Sequence, residues 1–223
     1  MGRDVLRWSV LPWSEYRSMP WKNGGGTTRE VASGVVRVPP SSSPSSSPSL
    51  SPSSSPSSAE PVAGFDWRVS VADVNAGGAF SPFPGVDRVI TPVEGEGMVL
   101  TVDGTPRPVG PLSPFAFSGD AATDCRLDAG AVRNMNVMTR RGRATAQVRI
   151  VTVAAAREAE TEMTCASGET LLVMAATEGI TLGGPDGRET PLGRLDCVRH
   201  EGPGALTLRG DGVVAAIRIT AAL

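Results

Sequence analysis

The sequence predicts an all-β fold, a sandwich or a barrel, on three observations. Short segments rich in Val, Ile, Thr and Leu recur along the chain, broken by Gly and Pro. Turn chemistry falls between them: Asp103-Gly104 and Asp211-Gly212 read as hairpin turns, and Pro185-Asp186-Gly187 as another. Helical periodicity is scarce, and only 154–162 reads as one short helix or an irregular crossover. The expected strands begin with Val5–Trp8, Thr28–Val31 and Val35–Val38. They continue with Trp67–Ala72, Val86–Thr91, Met98–Val102, Val132–Met138 and Ala146–Val153. Thr170–Met174, Cys197–Val198, Ala205–Leu208 and Val213–Ile219 complete the set. Many short strands with regular turns fit a sandwich or barrel.

A length of 223 residues with 40% hydrophobic content fills one large β domain or two small ones. Residues Pro39–Ser58 are a tract of 13 Ser, 6 Pro and Leu50. It has almost no side chain to bury and lacks many backbone donors, so it is expected to be disordered with polyproline II character. Only 38 residues precede it, too few for a core of their own. The tract therefore reads as an insertion at 39–58 in a surface loop of a single domain spanning 1–223. Two halves are visible, about 1–142 and 145–223, with a similar rhythm in "VITPVEGEGMVLTV" and "LLVMAATEGITL".

A formal net charge of −2 gives no electrostatic case for nucleic acid. The longest apolar run, Leu171–Ala176, is far too short to span a bilayer, so no membrane partner is expected. An acid at Asp4 with no apolar stretch after it predicts no secretory leader, which places the chain in the cytoplasm. The three cysteines, Cys125, Cys165 and Cys197, are scattered, and read as buried small hydrophobes of a reducing compartment.

Four segments carry unusual polar chemistry. In Trp21–Glu30, three successive glycines allow close backbone approach and are ringed by groups able to bind: Lys22, Asn23, Gly25, Thr27, Arg29 and Glu30. The order of Lys and Gly is not that of a P-loop. In Phe65–Ala72, strand alternation puts Trp67, Val69 and Val71 on one face and Arg68, Ser70 and Ala72 on the other. In Gly78–Arg88, two prolines stiffen a loop with Ser81 and Phe83, leading into Asp87 and Arg88 at a strand start. An internal Asp87–Arg88 ion pair is the competing reading. In Arg133–Arg141, alternation aligns Asn134, Asn136 and Met138, whose amides need partners that a ligand or backbone can supply. The Arg140-Arg141-Gly142-Arg143 cluster reads as a solvated turn.

Four cations within these segments of a net-acidic chain (Lys22, Arg29, Arg68 and Arg88) predict a pocket for a small anionic metabolite, with Gly24–Gly26 adding backbone donors. His200 is the only histidine and reads as a surface residue beside Glu201. One His cannot build the metal site of two or three His plus a carboxylate, and a Ser-His-Asp triad would have to use that same residue and finds no GxSxG elbow, so neither metal nor cofactor is expected.

The ordered blocks "WKNGGGTTREV", "FDWRVSVADV", "GAFSPFPGVDRVITPVEGEGMVL" and "GAVRNMNVMTRRG", over about residues 11–142, resemble the HutD/Ves family. The resemblance implies a cupin-like double-stranded β-helix: an RmlC-like jelly roll arranged as a bicupin, two β-barrels or sandwiches in one compact chain, without the usual metal ligands. It also implies a role in sensing or regulating histidine utilisation by binding a pathway metabolite. The chain departs from the family in its Ser/Pro tract, and at Asn134, where the family looks to prefer Asp. The expected function is metal-independent binding, with a homodimer as a possible assembly. The alternative is a metal-free cupin-type enzyme, an isomerase or hydrolase, drawing on Lys22, Glu30, Asp87 or Asp120 as acid and base.

Overall fold

The computed structural model describes residues 8–21, 24–36, 64–154, 160–183 and 187–222. Its regular structure is almost entirely strand. The first eleven strands are β1 (Trp8–Leu11), β2 (Arg17–Pro20), β3 (Gly26–Gly34), β4 (Trp67–Val74), β5 (Gly78–Ala79), β6 (Val86–Glu94), β7 (Met98–Val102), β8 (Thr105–Val109), β9 (Phe115–Ser118), β10 (Thr123–Arg126) and β11 (Val132–Arg140). Eight follow: β12 (Ala144–Val153), β13 (Thr161–Cys165), β14 (Thr170–Ala175), β15 (Ile180–Gly183), β16 (Glu189–Leu192), β17 (Cys197–Glu201), β18 (Gly204–Gly210) and β19 (Gly212–Ala221). One short 3-10 turn, Trp13–Glu15, lies between β1 and β2.

Strands form four sheets stacked as layers. A four-stranded sheet (β5-β10-β7-β8) packs on a six-stranded one (β2-β3-β4-β11-β6-β9) through Val74, Ile90, Leu100, Val109 and Cys125. The other face of the six-stranded sheet meets a five-stranded sheet (β1-β17-β14-β19-β12) through Trp67, Val69, Met135, Leu172, Met174 and Ile217. That sheet in turn covers a second four-stranded sheet (β13-β18-β15-β16) through Leu171, Val173, Leu182, Leu206 and Leu208. The two inner sheets are thus buried on both faces, which is why Leu171–Ala176 reads as continuous apolar sequence. Among the described residues no sheet closes on itself, so of the expected barrels or sandwiches the chain forms open sandwiches. The N-terminal strand β1 pairs with β17 and so lies in a sheet of the C-terminal half.

Asp103-Gly104 is the expected two-residue hairpin: both residues have positive φ, and Val102 pairs with Thr105. Asp211-Gly212 is not. The strands on either side, β18 and β19, belong to different sheets, and the chain crosses between layers there. Pro185 and Asp186 lie outside the described residues, in the connection between the paired strands β15 and β16. The expected strand Val35–Val38 is corrected as well. β3 ends at Gly34, Val35 and Val36 are irregular, and 37–38 lie outside the described residues. Of 154–162, only its ends are described, and β13 already begins at Thr161.

The Ser/Pro tract lies outside the described residues, but its flanks are informative. β3 and β4 are paired neighbours, with Gly34 opposite Trp67, so the intervening chain connects the two strands of a hairpin. Replacing Pro39–Ser58 with a short Gly/Ser turn is expected to change stability by no more than about 1 kcal/mol, because loop length enters closure entropy only logarithmically. Denaturant unfolding checks this, and a variant unable to fold would show that the tract packs.

Candidate functional site

Register across the six-stranded sheet assembles the site. Residues directly opposite one another share a face. One cross-strand row reads Arg68, Met138, Arg88 and Phe117. The next reads Glu30, Ser70, Asn136, Ile90 and Phe115. The third reads Thr28, Ala72 and Asn134. This face turns towards the first four-stranded sheet, and between them is a cavity of about 390 Å³. Its strand walls are Thr28, Arg68, Ala72, Arg88, Ile90, Asn134, Asn136 and Met138. Trp21 and the segment holding Ala79, Phe80, Ser81 and Phe83 close its ends.

At the centre is Arg88, 6% exposed. Its guanidinium carbon lies 5.3, 5.2 and 5.0 Å from the ring centroids of Phe80, Phe83 and Phe117. Its one hydrogen bond to a described residue is from Nε to Asn136 Oδ1 at 3.5 Å, at the weak limit of such contacts. No carboxylate of the described residues pairs with it. Burial pushes its pKa down to about 10, which still leaves a full cation at neutral pH. The second arginine, Arg68, has Glu30 Oε2 2.9 Å from its Nε, out of line for a hydrogen bond. Glu30 also accepts from Ser33 Oγ at 3.1 Å. Among the described residues the site thus holds two guanidinium groups against one carboxylate.

Five of the sequence candidates therefore line one cavity: Arg68, Ser81, Phe83, Arg88 and Asn136. Ser70 shares their face and is buried between Arg68 and Ala72 without lining the space. Glu30 stands at its side through Arg68. Arg29 is placed elsewhere. One residue along β3 from Thr28, it points to the opposite face, where it pairs with Asp73 and lies 4.8 Å over the Trp13 ring. Thr27 sits opposite Asp73 on that same face of the sheet. Asp87, next to Arg88, likewise faces away and pairs with Arg141 at 2.8 Å, so the internal Asp87–Arg88 pair does not form. Gly25 uses its carbonyl to accept Asn75 N–H at 2.9 Å. Lys22 and Asn23 lie outside the described residues.

None of Gly24–Gly26 lines the cavity, and the Gly24 N–H is taken up within the run's own loop. Gly24 N–H donates to Trp21 O at 3.0 Å, and Trp21 N–H to Gly26 O at 2.9 Å, closing a tight loop. That loop lays the Trp21 indole against the cavity, its Nε1–H donating to Thr28 Oγ1 at 2.8 Å. Trp21, Thr28, Phe80, Asn134 and Met138 were legible as neighbours of the candidates. Phe117 was not, because only the β6–β9 register brings it to Arg88.

The cavity's described lining contains no His, Cys, Asp or Glu, a donor set that does not suit the transition metal of many cupin-like proteins. His200 is buried rather than exposed: it sits mid-strand in β17, between its partners Trp8 and Leu171. All three cysteines are buried, and burial pushes their thiols up, to about 11 for Cys125 and Cys165 and about 12 for Cys197.

A family model described as HutD matches residues 13–217. The chain belongs to the HutD family. It is 35% identical over 195 residues to an uncharacterized 21.2 kDa protein in the hutC 3' region of Pseudomonas putida, covering 86% of each. It is 34% identical over 145 residues to protein Ves of Citrobacter koseri, 63% of each. Among solved structures, HutD from Pseudomonas fluorescens SBW25 superposes with a TM-score of 0.73 at 31% identity, covering 97% of this chain and 100% of that one. More remote likenesses, such as E. coli Ylba at a TM-score of 0.66 and 8% identity over 97% of this chain and 91% of the other, concern the fold alone. This HutD chain has the cupin-like all-β fold of its relatives.

Proposed function

We propose that this HutD chain binds a small anionic metabolite in the Arg88 cavity, without a metal, and that binding serves the regulation of histidine utilisation. The observation that carries the reading is Arg88 itself: a buried cation under three aromatic rings with no carboxylate partner among the described residues. A guanidinium kept dry costs several kcal/mol unless something offsets it, and a ligand carboxylate on its planar fork is the fitting counter-ion. Asn136 and Asn134 beside it offer amide donors and acceptors for the polar remainder of the ligand. Intermediates of amino-acid degradation are carboxylates of a size that 390 Å³ accommodates. Binding is favoured over turnover because no described lining residue is a carboxylate or imidazole able to move a proton. The two pairs of facing sheets, one in each half, support a bicupin arrangement with this cavity in the first unit.

Calorimetric titration with monocarboxylates, dicarboxylates, acylated amino acids and neutral sugars tests the proposal. Arg88→Ala is expected to weaken anion binding by about 1.5–3 kcal/mol, the worth of a charged hydrogen bond. Arg29→Ala is expected to leave it nearly unchanged, since that side chain faces the other way. Equal affinity in wild type and Arg88→Ala, or a preference for neutral sugars, would overturn the assignment.

A further inference from the structure

The turn after β11 is a motif of the first half that the cavity does not use. Its Arg141 is far from solvated freedom. Nη2 reaches Asp87 Oδ1 at 2.8 Å, Asp120 Oδ2 at 2.9 Å and Ser118 Oγ at 3.1 Å. Its backbone N–H donates to Gly85 O at 2.9 Å, and Asp120 Oδ1 accepts Gly85 N–H at 3.0 Å. Gly85, the last residue of the Phe80–Gly85 loop, is therefore gripped from both sides.

That loop carries two of the three rings over Arg88. Besides the Gly85 grip, Phe80 N–H donates to Thr123 O at 2.9 Å and Phe83 N–H to Gly119 O at 2.8 Å. Gly119 is needed for this approach, because a Cβ there would lie 2.6 Å from Phe83 O and 2.7 Å from Val86 O. The ion cluster itself is open to solvent: the side chains of Arg141, Asp87 and Asp120 are 50%, 56% and 45% exposed. Exposed pairs add little to global stability, yet this one is spent on a loop end.

We infer that Arg141 and Asp120 form a latch that holds the Phe80–Gly85 loop over Arg88, so both are positioning residues of the cavity; the functional weight of this rests on the binding role proposed above. Asp87 and Arg88, adjacent on β6, divide the work: Arg88 faces inward under the loop while Asp87 faces outward and anchors the latch. The Gly85 amide, Arg141 and Ser118 hold the Asp120 carboxyl down to about 2, so the latch stays charged at ordinary pH. Salt weakens it, because its charges are exposed.

The test compares full-length wild type with Arg141→Ala, Arg141→Lys and Asp120→Asn. Hydrogen exchange reads the amides of 80–85, and phenylglyoxal labelling mapped by peptide mass reads access to Arg88. In Arg141→Ala, loop exchange and Arg88 labelling are expected to rise about tenfold, with melting temperature and protection of β14 and β19 kept. Asp120→Asn shifts both in the same direction, Arg141→Lys recovers part, and added salt opens the loop of wild type. Unchanged exchange and labelling in both Arg141→Ala and Asp120→Asn overturns the latch. So does loss of protection spread through the whole chain, or failure of both variants to fold, since the cluster is then a general stability element. A wild type that binds no carboxylate removes the binding role and leaves the latch to stand on its own exchange data.

Discussion

Replacing Arg88 with methionine is expected to raise the melting temperature of the free protein while weakening anion binding about tenfold or more. Taking the guanidinium out of water costs several kcal/mol after relaxation. Three aromatic rings near 5 Å return about 1 kcal/mol each, and the 3.5 Å contact to Asn136 returns little. The balance is unfavourable, and a methionine of similar reach keeps the apolar stem, adds sulfur–aromatic contacts and removes the buried charge. A gain of about 1–3 kcal/mol is expected, a rise of several degrees for a chain of this size. Affinity for a carboxylate should fall by about tenfold to a hundredfold or more. Thermal denaturation with and without a bound carboxylate reads both effects: wild type is stabilised by ligand, Arg88→Met less so. A variant that melts lower than wild type without ligand sinks the claim that Arg88 is kept at a cost to stability.

Strand alternation alone placed Arg68 with Ala72, and Asn134 with Asn136 and Met138, because the period of a strand is two and needs no partner to read. It could not say which of Arg29 and Arg68 faces the cavity. That depends on how β3 lies against β4, and β3 contains a register shift between Glu30 and Ala32. Asp87 and Arg88 raise the same ambiguity: adjacent charges in a strand cannot share a face, and the β6–β11 register decides which is buried. The strands missed outright are mostly edges. β8 contains Pro106 and Pro108 and β16 contains Pro191, and each is the outermost strand of its sheet, where a missing donor is harmless. Proline signals a break in sequence and an edge in structure, and only the sheet order separates the two. Asp211-Gly212 misled for the converse reason: the turn chemistry is right, but the chain changes layer there instead of folding back on itself.

Within the glycine run, Gly26→Ala is expected to be more damaging than Gly24→Ala, by about 1 kcal/mol or more. Gly24 has a φ of +70° and nothing within 4 Å of an added Cβ, so alanine there meets only the backbone cost of the left-handed region, about 1–2 kcal/mol. Gly26 is different. A Cβ there overlaps the Asp73 carbonyl oxygen and lies 3.0 Å from two carbons of the Trp21 ring. The carbonyl belongs to β4 and cannot retreat without breaking the β3–β4 ladder, where Gly26 pairs with Val74. The indole cannot retreat either without giving up its bond to Thr28 and with it one wall of the cavity. Overpacking of this kind costs 1–3 kcal/mol when side chains yield, and more when backbone must, so a loss above about 3 kcal/mol is expected. If Trp21 is what moves, its fluorescence should shift to the red and carboxylate affinity should fall with stability. Chemical denaturation of both variants, with tryptophan emission and a carboxylate titration, checks the order. Equal losses at the two positions would mean that the run serves chain flexibility, and that neither Trp21 nor the cavity wall depends on the bare backbone at Gly26.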